Sequence, residues 1–78
     1  MSQWTPDKVL DAKGLSCPMP ILKTKKFFTE LRSGQILELQ STDPGTINDL
    51  PAFLSRAGHE LLGQEQREGY VSYFLRKA

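Results

Sequence analysis

A second cysteine is missing from this chain, and with it any internal disulfide. Cys17 and His59, the single cysteine and the single histidine, fall short of the four ligands of a structural zinc site. No run approaches the roughly 18 apolar residues that a membrane span needs. Residues Met1 to Lys8 lack the apolar stretch of a secretory signal, which makes the cytoplasm the expected compartment. Internal repeats and low-complexity tracts are absent too. The formal net charge is only +1, and a sequence pI near 7.9 is below the basic signature of a nucleic-acid-binding module. With 78 residues, 38% of them hydrophobic and 24% charged, one domain with a single small core fills the chain. We expect residues 1–78 to form that domain, with residues 1–7 as a flexible leader whose Trp4 packs back on the fold.

What the chain does have is the stretch Gly14-Leu15-Ser16-Cys17-Pro18-Met19-Pro20. Proline is tolerated in the first turn of a helix, so Pro18 and Pro20 fit the first and third helical positions behind an N-cap Cys17. Met19 then keeps the only N–H of those three residues. A sulfur at the N-cap meets that N–H and the positive end of the helix dipole, which favours thiolate over thiol. Because proline restricts the residue before it, the sulfur is held in a narrow range of directions. A lone cysteine is ordinarily a small buried hydrophobe, and it is the helix-opening position that sets this one apart. Charge adds to the effect. Between Lys13 and Arg32 stand Lys13, Lys23, Lys25, Lys26 and Arg32 against the one acid Glu30, so this segment carries +4 while the rest of the chain carries −3. A basic segment lowers the pKa of a nearby thiol and attracts acidic partner surfaces.

The pattern Asp11-x-x-Gly14-Leu15-x-Cys17-Pro18-x-Pro20 resembles the signature of the TusA/SirA family of small sulfur-carrier proteins. The run Ser41-Thr42-Asp43-Pro44, the step Asp49-Leu50-Pro51, Gly58-His59-Glu60-Leu61 and the closing strand from Tyr73 to Lys77 extend the resemblance over nearly the whole chain. It implies a protein that carries a persulfide sulfur on Cys17 between a donor, a cysteine desulfurase or rhodanese-like protein, and a cysteine-bearing relay acceptor. The destinations it implies are thiolated tRNA, molybdenum cofactor maturation or oxidation of reduced sulfur compounds. Within that motif Asp11 is expected to fix the strand-to-helix loop, and Gly14 to supply a backbone conformation that brings Cys17 forward. Lys13, Met19, Lys23 and Lys26 are the candidate docking residues. No metal and no cofactor is expected beyond the covalent persulfide.

Periodicity supplies the elements. Val9–Ala12 reads as a strand stopped by Gly14. Pro18–Arg32 reads as a helix with Ile21, Leu22, the Lys25 stem, Phe28 and Leu31 in one stripe, closed by Ser33-Gly34. Gln35–Ser41 alternates as a half-buried strand with Leu37 and Leu39 towards the core. Ile47, Leu50, Leu54 and Ala57 mark one face of a second helix after Asp43-Pro44-Gly45-Thr46. Pro51 lies inside it and is expected to remove a hydrogen bond or restart the helix, with Asp49 as an alternative N-cap. Gly58 closes that helix. Leu61–Gln66 and Tyr70–Lys77 form a hairpin through Arg67-Glu68-Gly69. The order β-α-β-α-β-β gives an α+β fold, a two-layer sandwich with two helices on one face of a four-stranded mixed sheet. The opposite face carries Ile36, Glu38, Gln40, Tyr70 and Phe74 and is expected to be solvated and able to touch a partner.

One thiol without a resolving partner differs from a Cys-x-x-Cys dithiol, so whatever resolves Cys17 comes from another molecule. That fits a stoichiometric relay component better than a turnover enzyme. His59 follows a helix stop and reads as a capping or packing residue. Two other functions fit the same fold: an RNA-binding module using the lysine-rich first helix, and a thiol redox sensor in which Cys17 is oxidised. No membrane association is expected, and the modest pI argues against direct nucleic-acid binding.

Overall fold

In a computed structural model of the chain, the described residues are 4–16 and 19–78, Ile47 by its backbone alone. Cys17 and Pro18, and the first three residues of the expected leader, lie outside them. The element order is β1 (Lys8–Ala12), α1 (Met19–Phe28), β2 (Ile36–Ser41), α2 (Thr46–Ala57), β3 (Glu60–Arg67) and β4 (Tyr70–Arg76). The sheet order is β1-β2-β4-β3. β1 runs parallel to β2 through the α1 crossover, and β4 lies antiparallel to both β2 and β3. This is the mixed sheet with two helices expected for the α+β fold.

The alternation in β2 places Leu37, Leu39 and Ser41 on the core face, with Leu10, Ala12, Tyr73 and Leu75 from the neighbouring strands. Leu50 and Leu54 of α2, Phe28 of α1 and Leu31 close over them. Each such leucine or phenylalanine contributes about 1.5–3 kcal/mol by leaving water. The expected face of α2 holds at Leu50 and Leu54, while Ala57 is exposed and the Ile47 side chain lies outside the described residues. Pro51 does not restart the helix. α2 runs unbroken from Thr46 with Gly45 as N-cap, and the exposed Pro51 sits where only one backbone bond is lost. Asp49 is therefore in the first turn, where a carboxylate meets the positive end of the helix. Gly58 ends α2 in the left-handed region (φ 82°), and the His59 N–H donates to the Leu54 carbonyl at 2.9 Å.

Two helix expectations are corrected. α1 stops at Phe28, and residues 29–31 continue as tighter turns in which Thr29, Glu30 and Leu31 donate three residues back. Its buried side is Pro20, Thr24 and Phe28, while Leu22 is 52% exposed and Lys25 is exposed. At 100° per residue, the buried side is turned roughly 65° from the centre of the stripe that hydrophobicity alone selects, so that Phe28 and Leu31 stay in the core and Ile21 packs against it. The reason is Thr24. Its hydroxyl donates to the Pro20 carbonyl at 2.7 Å, so it is buried with its polar group satisfied, and Leu22 is left outside.

The outer face of the sheet also differs from the solvated surface expected. Phe74 and Ser72 are fully buried. The Trp4 ring lies 5.2 Å from that of Phe74, tilted by 33°, so this part of the leader covers the sheet as expected of Trp4. A β-carbon on Gly63 would meet the Trp4 ring at 2.5 Å, so glycine there makes room for the indole. Ser72 donates to Glu38 Oε2 at 3.0 Å, beside Gln40 at 2.9 Å. The Asp7 N–H donates to the Ile36 carbonyl and its carboxylate accepts from the Ile36 N–H, both at 2.8 Å, which fixes residues 4–7 to the sheet.

Candidate functional site

The register brings the ends of β1, β2 and the β3–β4 hairpin to one end of the sheet, since Ala12 pairs with Ser41, Ser41 with Val71 and Val71 with Gln66. The loop that leads to Cys17 leaves from this end. Asp11 Oδ1 accepts the Lys13 N–H at 3.0 Å, a local turn that fixes the start of the loop. Gly14 adopts φ 83°, which L side chains rarely take, and its N–H donates to Thr42 Oγ1 at 2.9 Å. The Leu15 N–H donates to the Ala12 carbonyl at 3.2 Å, and the Met19 N–H to the Ser16 carbonyl at 2.9 Å. The N–H that the sequence reading directs at the sulfur is thus given to a backbone oxygen. Pro20, expected third in the helix, is second in α1 and buried.

The candidate docking residues fall into two places. Met19, 43% exposed, shares one face of α1 with Leu22, Lys23 and Lys26, at offsets of three, four and seven. This apolar and basic face turns away from the core. Lys13 is directed elsewhere: its ammonium lies 4.5 Å from the centre of the Tyr70 ring. Glu30, the one acid of the basic segment, is engaged by Lys8 at 2.7 Å, and that hydrogen bond holds its carboxyl below the ordinary carboxylate value. Among the described residues no ion pair takes up Lys23 or Lys26.

Sequence reasoning missed Thr42 and Tyr70 as neighbours of the loop. Thr42 lies in the Ser41–Pro44 run, but nothing in that pattern says which residue across the fold it meets. Its own segment is tightly held. The Ser41 and Thr46 hydroxyls lie 3.0 Å apart, and Ser41 Oγ accepts the Asp43 N–H at 3.2 Å. A groove of about 330 Å³ lies between Thr42–Pro44 and the hairpin side chains Gln66, Tyr70 and Tyr73. His59 is at the other end of the sheet, beside the start of β3, a strand length or on the order of 15 Å away. Its ring packs 4.2 Å from that of Phe28, and its Nδ1 accepts the Ala78 N–H at 3.0 Å, a packing role.

Comparison with known proteins agrees with this architecture. The family described as Sulfurtransferase TusA matches residues 8–77. The protein YrkI of Bacillus subtilis (strain 168) is 54% identical over 71 residues, which cover 91% of this chain and 95% of that protein. A protein of Pseudomonas putida (strain GB-1) named sulfur carrier protein TusA is 43% identical over 77 residues, covering 99% and 96%. The crystal structure of a SirA-like protein from Desulfitobacterium hafniense superposes with a TM-score of 0.78 at 20% identity, covering 88% of this chain and 95% of that one, a likeness of fold.

Proposed function

The chain belongs to the TusA family, and from that premise we propose that it carries sulfur as a persulfide on Cys17. The observation that carries the reading is the placing of the sole cysteine in sequence between two fixed segments, the loop tied down at Asp11 and Gly14 and the helix that starts at Met19. The Cys17 thiolate attacks the outer sulfur of a donor persulfide. A new S–S bond forms, the donor S–S bond breaks, and the donor cysteine leaves as thiolate and takes up a proton. An acceptor thiolate then attacks the outer sulfur on Cys17 in the same way, restoring the Cys17 thiolate. Neither step changes the overall oxidation level, and neither needs a cofactor or a dedicated acid–base pair.

Asp11, Gly14, Pro18 and Pro20 support the cysteine. The face Met19, Leu22, Lys23 and Lys26 is its docking surface, suited to a partner with an apolar patch rimmed by carboxylates. The donor is a cysteine desulfurase or a rhodanese-like protein, the acceptor a cysteine-bearing relay protein. The setting is cytoplasmic, and the pathway is tRNA thiolation, molybdenum cofactor assembly or sulfur oxidation. No helix among the described residues is long and apolar enough to cross a membrane.

Intact-protein mass spectrometry after incubation with a cysteine desulfurase, its cofactor and cysteine tests the reading. Wild type gains the mass of one sulfur, reversibly with reductant, and Cys17→Ser does not. A gain that persists in Cys17→Ser, or no gain with either a desulfurase or a rhodanese-type donor, overturns it.

A further inference from the structure

We propose that the open edge of β1 takes an extended segment of a partner protein as an added strand, with the side-chain pattern apolar-x-acidic-x-apolar. The inference rests on the reading of α1 as a docking face and deepens it by naming what docks beside it. A sheet edge presents every second backbone N–H and C=O to whatever lies next to it. The order β1-β2-β4-β3 leaves two such edges, and they are not alike. β3 carries a bulge between Leu61 and Gly63, a break in register that blunts an edge. β1 pairs in unbroken register over its five residues and contains no proline. Among the described residues, its backbone makes one hydrogen bond outside the ladder, the Leu15 N–H donating to the Ala12 carbonyl. A lysine on an edge strand ordinarily keeps other strands away, but the Lys8 ammonium is drawn up to α1, 2.7 Å from Glu30 Oε1 and 5.9 Å from the centre of the Phe27 ring.

That contact also shows which side of α1 stands over the edge. Phe27 and Glu30 face β1, while Phe28 stacks towards Phe53 of α2. At helical spacing Lys23 and Met19 lie one and two turns before Phe27 on the same side. Four helical residues rise about 6 Å and two strand residues about 6.6 Å, so the two repeats keep step. A strand laid beside β1 therefore meets Phe27, Lys23 and Met19 with three successive side chains of its helix-facing side. The first and third meet apolar groups, the half-buried Phe27 and the exposed Met19. The second meets the ammonium of Lys23, which no ion pair among the described residues takes up. The pattern reads the same from either end, so it holds whichever way the segment runs. On the opposite face Val9 is 52% exposed and offers a β-branched neighbour to a residue in between. A second copy of this chain does not fit: the helix-facing residues of β1 are Lys8, Leu10 and Ala12, with no acid among them, and a twofold pairing brings Lys23 up against its own copy.

The test uses the isotope-labelled full chain and the peptide acetyl-Val-Thr-Glu-Thr-Val-amide, followed by amide NMR spectra and hydrogen exchange. With millimolar peptide the β1 amide signals shift, and alternate β1 amides exchange more slowly, the mark of a new ladder. Replacing the central glutamate by lysine weakens binding about threefold, and Lys23→Glu reverses the preference. The spectrum itself reports that the variant is folded. Shifts confined to α1 without added protection in β1 overturn the inference, as do shifts at β3 or no response at all. Equal binding of the two peptides, or a wild-type preference for the lysine one, overturns the acidic pattern. Shifts in β1 that grow with protein concentration in the absence of peptide make the occupant a second copy and overturn it too. The peptide carries no thiol and no sulfur is transferred, so these outcomes are separate from the loading experiment. A carrier that loads normally and leaves β1 untouched removes only this inference.

Discussion

At the scale of single residues, His59 sets a pH dependence with a definite sign. Burial, and then the charge of Lys77, hold its imidazole below the ordinary value of 6.5. The neutral ring is the form that accepts the Ala78 N–H and packs on Phe28. Below pH 6.5 the unfolded chain takes up a proton that the folded chain refuses. The stabilisation is therefore present above that pH and lost as pH falls through the folded value. Urea midpoints measured from about pH 7.5 down to 5 should decline in wild type and stay flatter in His59→Phe; Glu30, the other lowered group, enters only further down, below its ordinary 4.5. Gly63 makes a second prediction. Gly63→Ala drives a methyl into the Trp4 ring and should destabilise by about 1–2 kcal/mol, as the indole is expelled from Phe74. In a Trp4→Ala background the same change should cost far less, which a double-mutant cycle in urea will read.

At the scale of elements, α1 shows both what the sequence made legible and where it did not. Its existence followed from helical spacing after a proline-rich opening, but its orientation depended on Thr24 and Pro20, which a hydrophobic pattern counts as polar or breaking. The Thr24 hydroxyl is satisfied inside its own helix, and that turns the whole element. Phe28→Ala should therefore cost about 3–5 kcal/mol, whereas Leu22→Ser, in the same expected stripe, should stay within about 0.5 kcal/mol of wild type by thermal or urea unfolding. Leu37 and Leu39 were readable because a period of two leaves no ambiguity in a strand. Phe74 was misjudged for the opposite reason. Its neighbour is Trp4, from a leader with no pattern of its own. The loop supports Asp11 and Gly14 were legible from the motif, while Thr42 was not, because a tie between two loops leaves no spacing in sequence.

At the scale of the whole molecule, the sheet order separates two functions of the surface. The loop ends gather at one end, and the basic face of α1 starts beside them. Lys23→Glu with Lys26→Glu should leave unfolding near wild type but slow sulfur transfer from a donor at low salt by about tenfold, with the difference shrinking as salt is raised; stopped reactions weighed by mass spectrometry will show it. The other face of the sheet is covered by Trp4. That residue is the chain's only tryptophan, so its ultraviolet emission is an optical gauge already mounted on the side opposite the helices. A partner that docks along α1 leaves the colour of that light unchanged, and one that displaces the leader shifts it to the red, which turns the position of the indole into a readout of which side of the carrier is in use.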